Sequence, residues 1–168
     1  SLSGTFEYKA AAGVIERLHN GQRMVVGESF HDIILHDTAG RSIDSRQFRG
    51  KYLLVEFWAS WCGPCMRSIP TLQAFYKKNK GPLFDILGVS RDYTTDRWKN
   101  AIIKTRMPWP QVLDIQNTGA GLGNYYGINA VPTNILVDPG GKILGYDLSI
   151  DQIQQLLPSA EGHAGAFH

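Results

Sequence analysis

The chain has 168 residues, of which 43% are hydrophobic and 19% charged, and its formal net charge is +2. This composition is typical of a globular domain with one core, and the charge is too small to indicate binding to nucleic acid or to an anionic membrane. No apolar run reaches the roughly eighteen residues of a membrane span, and two cysteines are too few for a disulfide-stapled scaffold. The chain begins at Ser1 without a signal peptide, so we expect that an upstream segment was removed or not included.

The first part of the chain predicts an extension, a β-hairpin and a buried strand. We interpret residues 1–26 as an N-terminal extension or linker, with an ambiguous short helix over 10–18. A Gly-ended turn at 37–40 between apolar runs indicates a hairpin, and Ser45 is the expected cap of a one-turn helix. Residues 52–58 are almost continuously apolar, which is typical of a strand covered on both faces.

The rest of the chain alternates helices and strands and then ends in a hairpin and a helix. Because this order requires a mixed sheet between helices, we predict one α/β domain over 27–157. Residues 158–168 are small and polar, and we expect a disordered tail or a cloning remnant. The predicted elements are helices over 64–78, 94–104, 119–126 and 150–157, and strands over 84–90, 112–113, 134–137 and 142–146.

Cys62 and Cys65 are the only cysteines, and they lie three residues apart. Three interpretations are open: a zinc site, a redox pair or two inert thiols. Structural zinc needs four ligands, and no second pair of cysteine or histidine residues has the required spacing. Inert thiols would have to fall by chance between a buried strand and a helix, so the residues favour a redox pair.

The predicted position of the pair supports redox chemistry. A cysteine at a helix N-terminus faces unpaired N–H groups and the positive end of the helix dipole, which stabilise the thiolate. Cys62 is expected there, and Cys65 lies one turn further on, within reach of the same sulfur. Gly63 and Pro64 keep the loop tight, and Pro64 in the first turn loses no helical hydrogen bond.

The segment Val55-Glu56-Phe57-Trp58-Ala59-Ser60-Trp61-Cys62-Gly63-Pro64-Cys65 resembles the active site of thioredoxins. Within that superfamily it is most similar to the TlpA/ResA-like thiol–disulfide oxidoreductases of the bacterial cell envelope. The resemblance covers about residues 27–157 and implies a thioredoxin-like fold with an N-terminal β-hairpin. Further matching segments are Gly50-Lys51, Gly88-Val89-Ser90, Tyr126-Gly127-Ile128 and Val131-Pro132-Thr133.

Glu56 interrupts an otherwise apolar strand, and a carboxyl group buried there should have a raised pKa. The alternative is that its side chain points outward at a strand edge. The resemblance implies a buried acid beneath the cysteine pair, which would exchange a proton with Cys65 directly or through water.

The resemblance also implies a substrate-binding surface around the cysteines. The Val131–Pro132 bond would be cis and face the disulfide, leaving the Val131 backbone free to pair with an extended substrate. Trp61, Gly63 and Pro64 would contribute the opposite side of this surface, while Trp58 is expected in the core.

We therefore predict a thiol–disulfide oxidoreductase with Cys62, Cys65 and Glu56 as catalytic residues and with no metal or cofactor. Gly63-Pro64 offers the thiolate no side-chain donor, which favours a reductant. Expected partners are protein disulfide or dithiol clients and an upstream thiol donor, without nucleic acid. The protein is expected to be a monomer in the periplasm or anchored facing it.

The sequence leaves two other classes of protein open. Peroxiredoxins share the general fold, but Ala59 and Glu56 occupy the positions where their pattern has Thr or Ser and Pro. The other class is a non-enzymatic envelope module that uses the fold to bind a partner or a metal. A metal carrier would need a further His or Met ligand, and only Met66 lies beside the thiols.

Overall fold

The structure is a computed structural model that describes residues 23–115 and 121–159. The helix anticipated over 10–18 and nearly all of the expected tail lie outside the described residues. Contacts with the folded domain already begin at the first described residues. The Arg23 guanidinium lies 4.6 Å from the centroid of the Tyr125 ring, and Met24 packs against the buried residues on one face of the sheet.

The described residues form a five-stranded mixed sheet in the order β5-β4-β3-β6-β7, with a separate two-stranded hairpin β1–β2. Strands β3, β4 and β5 are parallel, whereas β6 and β7 are each antiparallel to their neighbours. The strands are β1 (Ile34–His36), β2 (Ser42–Asp44), β3 (Tyr52–Trp58), β4 (Phe84–Ser90), β5 (Gln111–Leu113), β6 (Thr133–Val137) and β7 (Ile143–Tyr146). The α-helices are α1 (Gly63–Asn79), α2 (Thr95–Thr105), α3 (Leu122–Tyr125) and α4 (Ile150–Leu156), and Ser45–Phe48 forms a 3-10 helix.

The central strand β3 divides its side chains between two hydrophobic cores. Leu54 and Trp58 belong to the core that contains buried residues of α1, α2 and α4, including Cys65. Leu53, Val55 and Phe57 belong to the opposite core, which contains residues of the hairpin region and α3. Because side chains alternate along a strand, Glu56 lies on the face of Leu54 and Trp58, the face that α1 covers.

Capping side chains begin several helices, and one of them differs from the prediction. Asp44, not Ser45, caps the 3-10 helix, because its carboxylate accepts the Arg46 N–H at 2.9 Å. The Ser45 hydroxyl instead donates to Asp32 and accepts the Ile33 N–H, which ties this turn to the segment before β1. Ser149 begins α4 in a capping box with Gln152.

Helix α3 is also shorter than predicted, and its predicted first residues lie partly in the undescribed segment 116–120. Across 23–115 and 121–159, none of the helices has both the length and the apolar character needed to cross a membrane.

Candidate active site

Cys62 is the N-cap of α1, and its sulfur belongs to the redox pair predicted from the sequence. Cys62 and Cys65 form a disulfide whose Cα atoms are 5.2 Å apart. The Cys65 backbone N–H donates to Cys62 Sγ at 3.1 Å, so the sulfur accepts one of the otherwise unpaired donors of the first helical turn. This donor would stabilise negative charge on Cys62 after reduction.

Both sulfurs are shielded in this oxidised form. Cys62 is 4% exposed and Cys65 is 2% exposed, so neither cysteine is accessible while the disulfide is intact. The surroundings of the two residues still differ. Cys62 adjoins exposed Trp61 and Gly63, whereas Cys65 borders an internal cavity.

The residues of the expected substrate-binding surface meet around Cys62. The Val131–Pro132 peptide bond is cis, as the resemblance implies. Cys62 Sγ lies 3.5 Å from the Val131 carbonyl oxygen, although the two residues are 69 positions apart in the chain. Pro132 and Pro64 are exposed on this surface.

Two residues near the cysteines bring features that the sequence analysis did not anticipate. The Arg67 guanidinium folds back over the loop, and its Nη1 lies 3.2 Å from the position that a Cβ on Gly63 would occupy. An exposed cation therefore lies beside the disulfide loop. Tyr93 is exposed next to Trp61, with the two ring centroids 6.4 Å apart.

Glu56 lies beneath the disulfide, between an internal cavity and a surface groove. The cavity also contacts Cys65 and Trp109. The centre of a water molecule can occupy about 10 Å³ of it, which is roughly the space that one bound water requires. The groove, about 340 Å³, runs past Pro132 and between α1 and α4. β3 is central in the sheet, which excludes the outward-facing position at a sheet edge.

The environment of Glu56 makes its carboxyl group a weak acid. Burial removes water from the ionised form and raises the pKa of Glu56 from 4.5 to about 8. The side chain keeps a small solvent contact, consistent with its position on the groove. Near neutral pH the group is therefore mostly protonated in the oxidised protein, and it can accept a proton only after it has released its own.

Sequence reasoning missed a buried carboxylate, Asp92, that holds the loop before the cysteines. Asp92 is 0% exposed. Its oxygens accept the Ser60 N–H at 3.1 Å, the Ser60 hydroxyl and the Ser90 hydroxyl at 2.6 Å. Since Ser60 lies two residues before Cys62, Asp92 fixes the approach of the chain to the disulfide.

A second buried carboxylate, Asp114, stabilises the same end of the sheet. It pairs with Arg91 at 2.7 Å and accepts the Gly123 N–H at 2.7 Å. The signal in the sequence was the polar run Ser90-Arg91-Asp92 at the end of a buried strand, which contains Asp92 itself and Arg91, the partner of Asp114. The carboxyl ends of adjacent parallel strands meet at one sheet edge, so this run had to lie beside the end of β3.

A cysteine pair at a helix N-terminus, a cis-proline beside it and a mixed sheet beneath it define a redox protein of the thioredoxin class. In agreement with this, a family model described as thioredoxin-like matches residues 50–143. The chain belongs to this thioredoxin-like family, and it is a thiol–disulfide oxidoreductase.

Individual relatives define the group more closely. The thiol–disulfide oxidoreductase ResA of Bacillus cereus is 28% identical over 143 residues, which cover 85% of this chain and 79% of the relative. A thiol–disulfide oxidoreductase from Bacteroides fragilis superposes with a TM-score of 0.69 at 34% identity, covering 77% of this chain and 100% of that structure. The thioredoxin domain of a thiol–disulfide oxidoreductase from Bacteroides vulgatus superposes with a TM-score of 0.73 at 33% identity, covering 80% of this chain and 99% of that structure. These similarities place the chain with the TlpA/ResA-like oxidoreductases.

Proposed function

We propose that the protein reduces disulfide bonds of protein clients in the bacterial cell envelope. The observation that carries the chemistry is the placement of Cys62 Sγ on the helix N-terminus and 3.5 Å from the Val131 carbonyl oxygen. A client cysteine that reaches this sulfur brings its backbone alongside residue 131. An extended client strand can pair there.

The reaction is a pair of exchange steps that conserves atoms and electrons. The Cys62 thiolate attacks one sulfur of the client disulfide, forms a mixed disulfide and releases the other client sulfur as a thiolate. The Cys65 thiolate then attacks Cys62 Sγ and releases the second client sulfur. Two electrons have passed to the client, Cys62 and Cys65 are oxidised, and an external dithiol must reduce them again.

Glu56 is suited to the second step. It shares a cavity with Cys65, and its pKa of about 8 is close to that of an ordinary thiol, so a proton can pass between them with little cost in free energy. The groove on the other side of Glu56 gives that proton a route to solvent. Glu56 therefore first releases its own proton along the groove and then accepts the proton of Cys65 during resolution.

The reducing direction rests on the loop between the cysteines. Gly63 and Pro64 have no side-chain donor for the Cys62 thiolate, so the dithiol gains little stabilisation and the disulfide is favoured. Arg67 opposes this effect, but its guanidinium is exposed, where a single charge contributes about 0–1 kcal/mol. Glu56 supplies no fixed negative charge near neutral pH because it is mostly protonated, so it does not contribute to the reducing direction.

Equilibration against thiol–disulfide buffers tests the direction. Fluorescence of Trp58 and Trp61 reports the redox state, since both lie at the loop. We expect a potential on the order of −270 mV, the thioredoxin value. A potential close to about −120 mV, that of a strong disulfide donor, would falsify the reductant assignment while leaving the exchange chemistry intact.

Clients and location are tested by trapping in the native cell. The Cys65→Ala variant keeps Cys62 but cannot resolve the mixed disulfide, so it should hold clients and the upstream dithiol donor covalently. Cys62→Ala is the matched control and should trap nothing. Mixed disulfides with cytoplasmic proteins alone would contradict an envelope location. We also expect the purified protein to elute in size-exclusion chromatography at the mass of a single chain, as a monomer requires.

A further inference from the structure

Two exposed aromatic rings stand beside the disulfide. Trp61 is 50% exposed and Tyr93 is 49% exposed, and their ring planes are inclined by 32°. Within the described parts of the chain, they are the two aromatic members among the exposed large apolar side chains. Large aromatic residues that stay exposed at a site are typical of surfaces that bind a partner.

One buried carboxylate fixes the backbone under both rings. Asp92 accepts two hydrogen bonds from Ser60, the residue before Trp61, and Asp92 itself precedes Tyr93. Its hydrogen bond with Ser90 anchors this arrangement to the end of β4. The two rings are therefore held on rigid segments before a client arrives, which lowers the entropy lost when the client binds.

We propose that Tyr93 extends the substrate-binding surface at Trp61, so that the two rings form an aromatic subsite that receives an apolar side chain next to the client's reactive cysteine. The proposal rests on the exchange function above. Trp61 adjoins Cys62 in the chain, and neighbouring residues of a client lie about 3.8 Å apart along its backbone, so the residue beside the attacked cysteine comes against the rings. Aromatic and large aliphatic side chains bury the rings, whereas a small polar side chain does not.

The experiment compares two short disulfide peptides that differ only in the residue after one cysteine, Phe in one and Ser in the other. Stopped-flow mixing with the reduced protein gives the second-order rate constant of mixed-disulfide formation. We expect the Phe peptide to react about 3- to 10-fold faster, the range that one aromatic contact supplies. Tyr93→Ala should reduce this ratio to below about 2, and Tyr93→Phe should preserve it.

Two controls separate the subsite from other effects. Ile103→Ala removes an apolar side chain that is 74% exposed on α2 and should leave the ratio unchanged. Hydroxyethyl disulfide, which has no adjacent side chain, should react equally with all four proteins. An unchanged ratio in Tyr93→Ala, or equal slowing toward every disulfide, overturns the subsite. Failure of the unmodified reduced protein to react with any disulfide would instead overturn the exchange function.

Discussion

Glu56 is the residue whose protonation links stability to pH. Its pKa of about 8 in the folded protein exceeds the ordinary value of 4.5. Between these values the folded state keeps a proton that the unfolded chain releases, so the free energy of unfolding falls as the pH rises. The contribution is fully present below about pH 4.5 and is lost as the pH passes through about 8.

Glu56→Gln should remove this pH dependence. The full pKa shift would correspond to a change of at most about 5 kcal/mol in the free energy of unfolding. Because Glu56 keeps some solvent contact, we expect a change of about 1–3 kcal/mol. Urea unfolding of the oxidised protein at about pH 5 and pH 9 measures it. The variant should be more stable than the unmodified protein mainly at the higher pH. Equal stability differences at both pH values would show that Glu56 is not desolvated.

Cys62 should react first when the reduced protein meets an alkylating reagent. Both cysteines are nearly inaccessible in the oxidised form, but Cys62 borders exposed loop residues and Cys65 borders the cavity with Glu56. Brief treatment with iodoacetamide near neutral pH, followed by peptide mass mapping, gives the two labelling rates. The single variants Cys62→Ala and Cys65→Ala provide the reference rates. Faster labelling of Cys65 would reverse the roles assigned to the two sulfurs.

At the scale of elements, the loop between β3 and α1 depends on a residue that follows β4. Asp92→Asn replaces a buried acceptor of three hydrogen bonds with an amide whose NH₂ group must face donors of Ser60 or Ser90. We expect a loss of about 1–3 kcal/mol in the free energy of unfolding and slower mixed-disulfide formation.

Ser60→Ala tests the same link more gently, because the backbone N–H of residue 60 still donates to Asp92. Its effect on both quantities should be smaller than that of Asp92→Asn. Asp37→Asn, in the turn of the β1–β2 hairpin, is a control with the same chemical change and should leave the exchange rate unaltered. If the two substitutions at 60 and 92 were strictly additive in the exchange rate, their side chains would not be coupled.

The hydrophobic periodicity of the sequence predicted the helices and strands well, but it could not predict most of the side-chain contacts between them. The apolar run 52–58 and the i, i+3, i+4 pattern after Cys65 correspond to β3 and α1 because burial of those residues requires such periods. The position of Glu56 beneath the cysteines was implied by the resemblance, because the apolar run alone left an outward-facing position open. The roles of Asp92 and Arg67 could not be predicted in this way. Asp92 is distant in sequence from the loop that it holds, and the position of Arg67 depends on how its side chain folds back over a loop without periodicity.

At the scale of the whole molecule, one buried ion pair connects the sheet to the helix that precedes the cis-proline. Arg91 and Asp114 are 2.7 Å apart, with side chains 5% and 2% exposed. Asp114→Ala would leave the Arg91 guanidinium buried without its counter-charge, and we expect the free energy of unfolding to fall by about 3–5 kcal/mol. Asp37→Ala, which removes a partner of the exposed Arg41, is the matched control.

Thermal unfolding of the two variants measures the contrast. The melting temperature of Asp114→Ala should fall well below that of Asp37→Ala, because water screens the exposed pair and not the buried one. Similar melting temperatures would mean that solvent reaches Arg91 in the folded protein.

Side chains alternate between the two faces of β3, and this alternation limits which insertions the protein can tolerate. Cys65 and Glu56 meet because Glu56 lies an even number of positions from Leu54 and Trp58, on the face covered by α1. Inserting one residue into β3 before Glu56 would move the side chains that precede the insertion to the opposite face of the sheet, while Glu56 and Trp58 stay in place. Inserting two would return those side chains to their original face. The hairpin turn at 37–40 carries no such constraint, so odd and even insertions there should be equally harmless to the redox reaction.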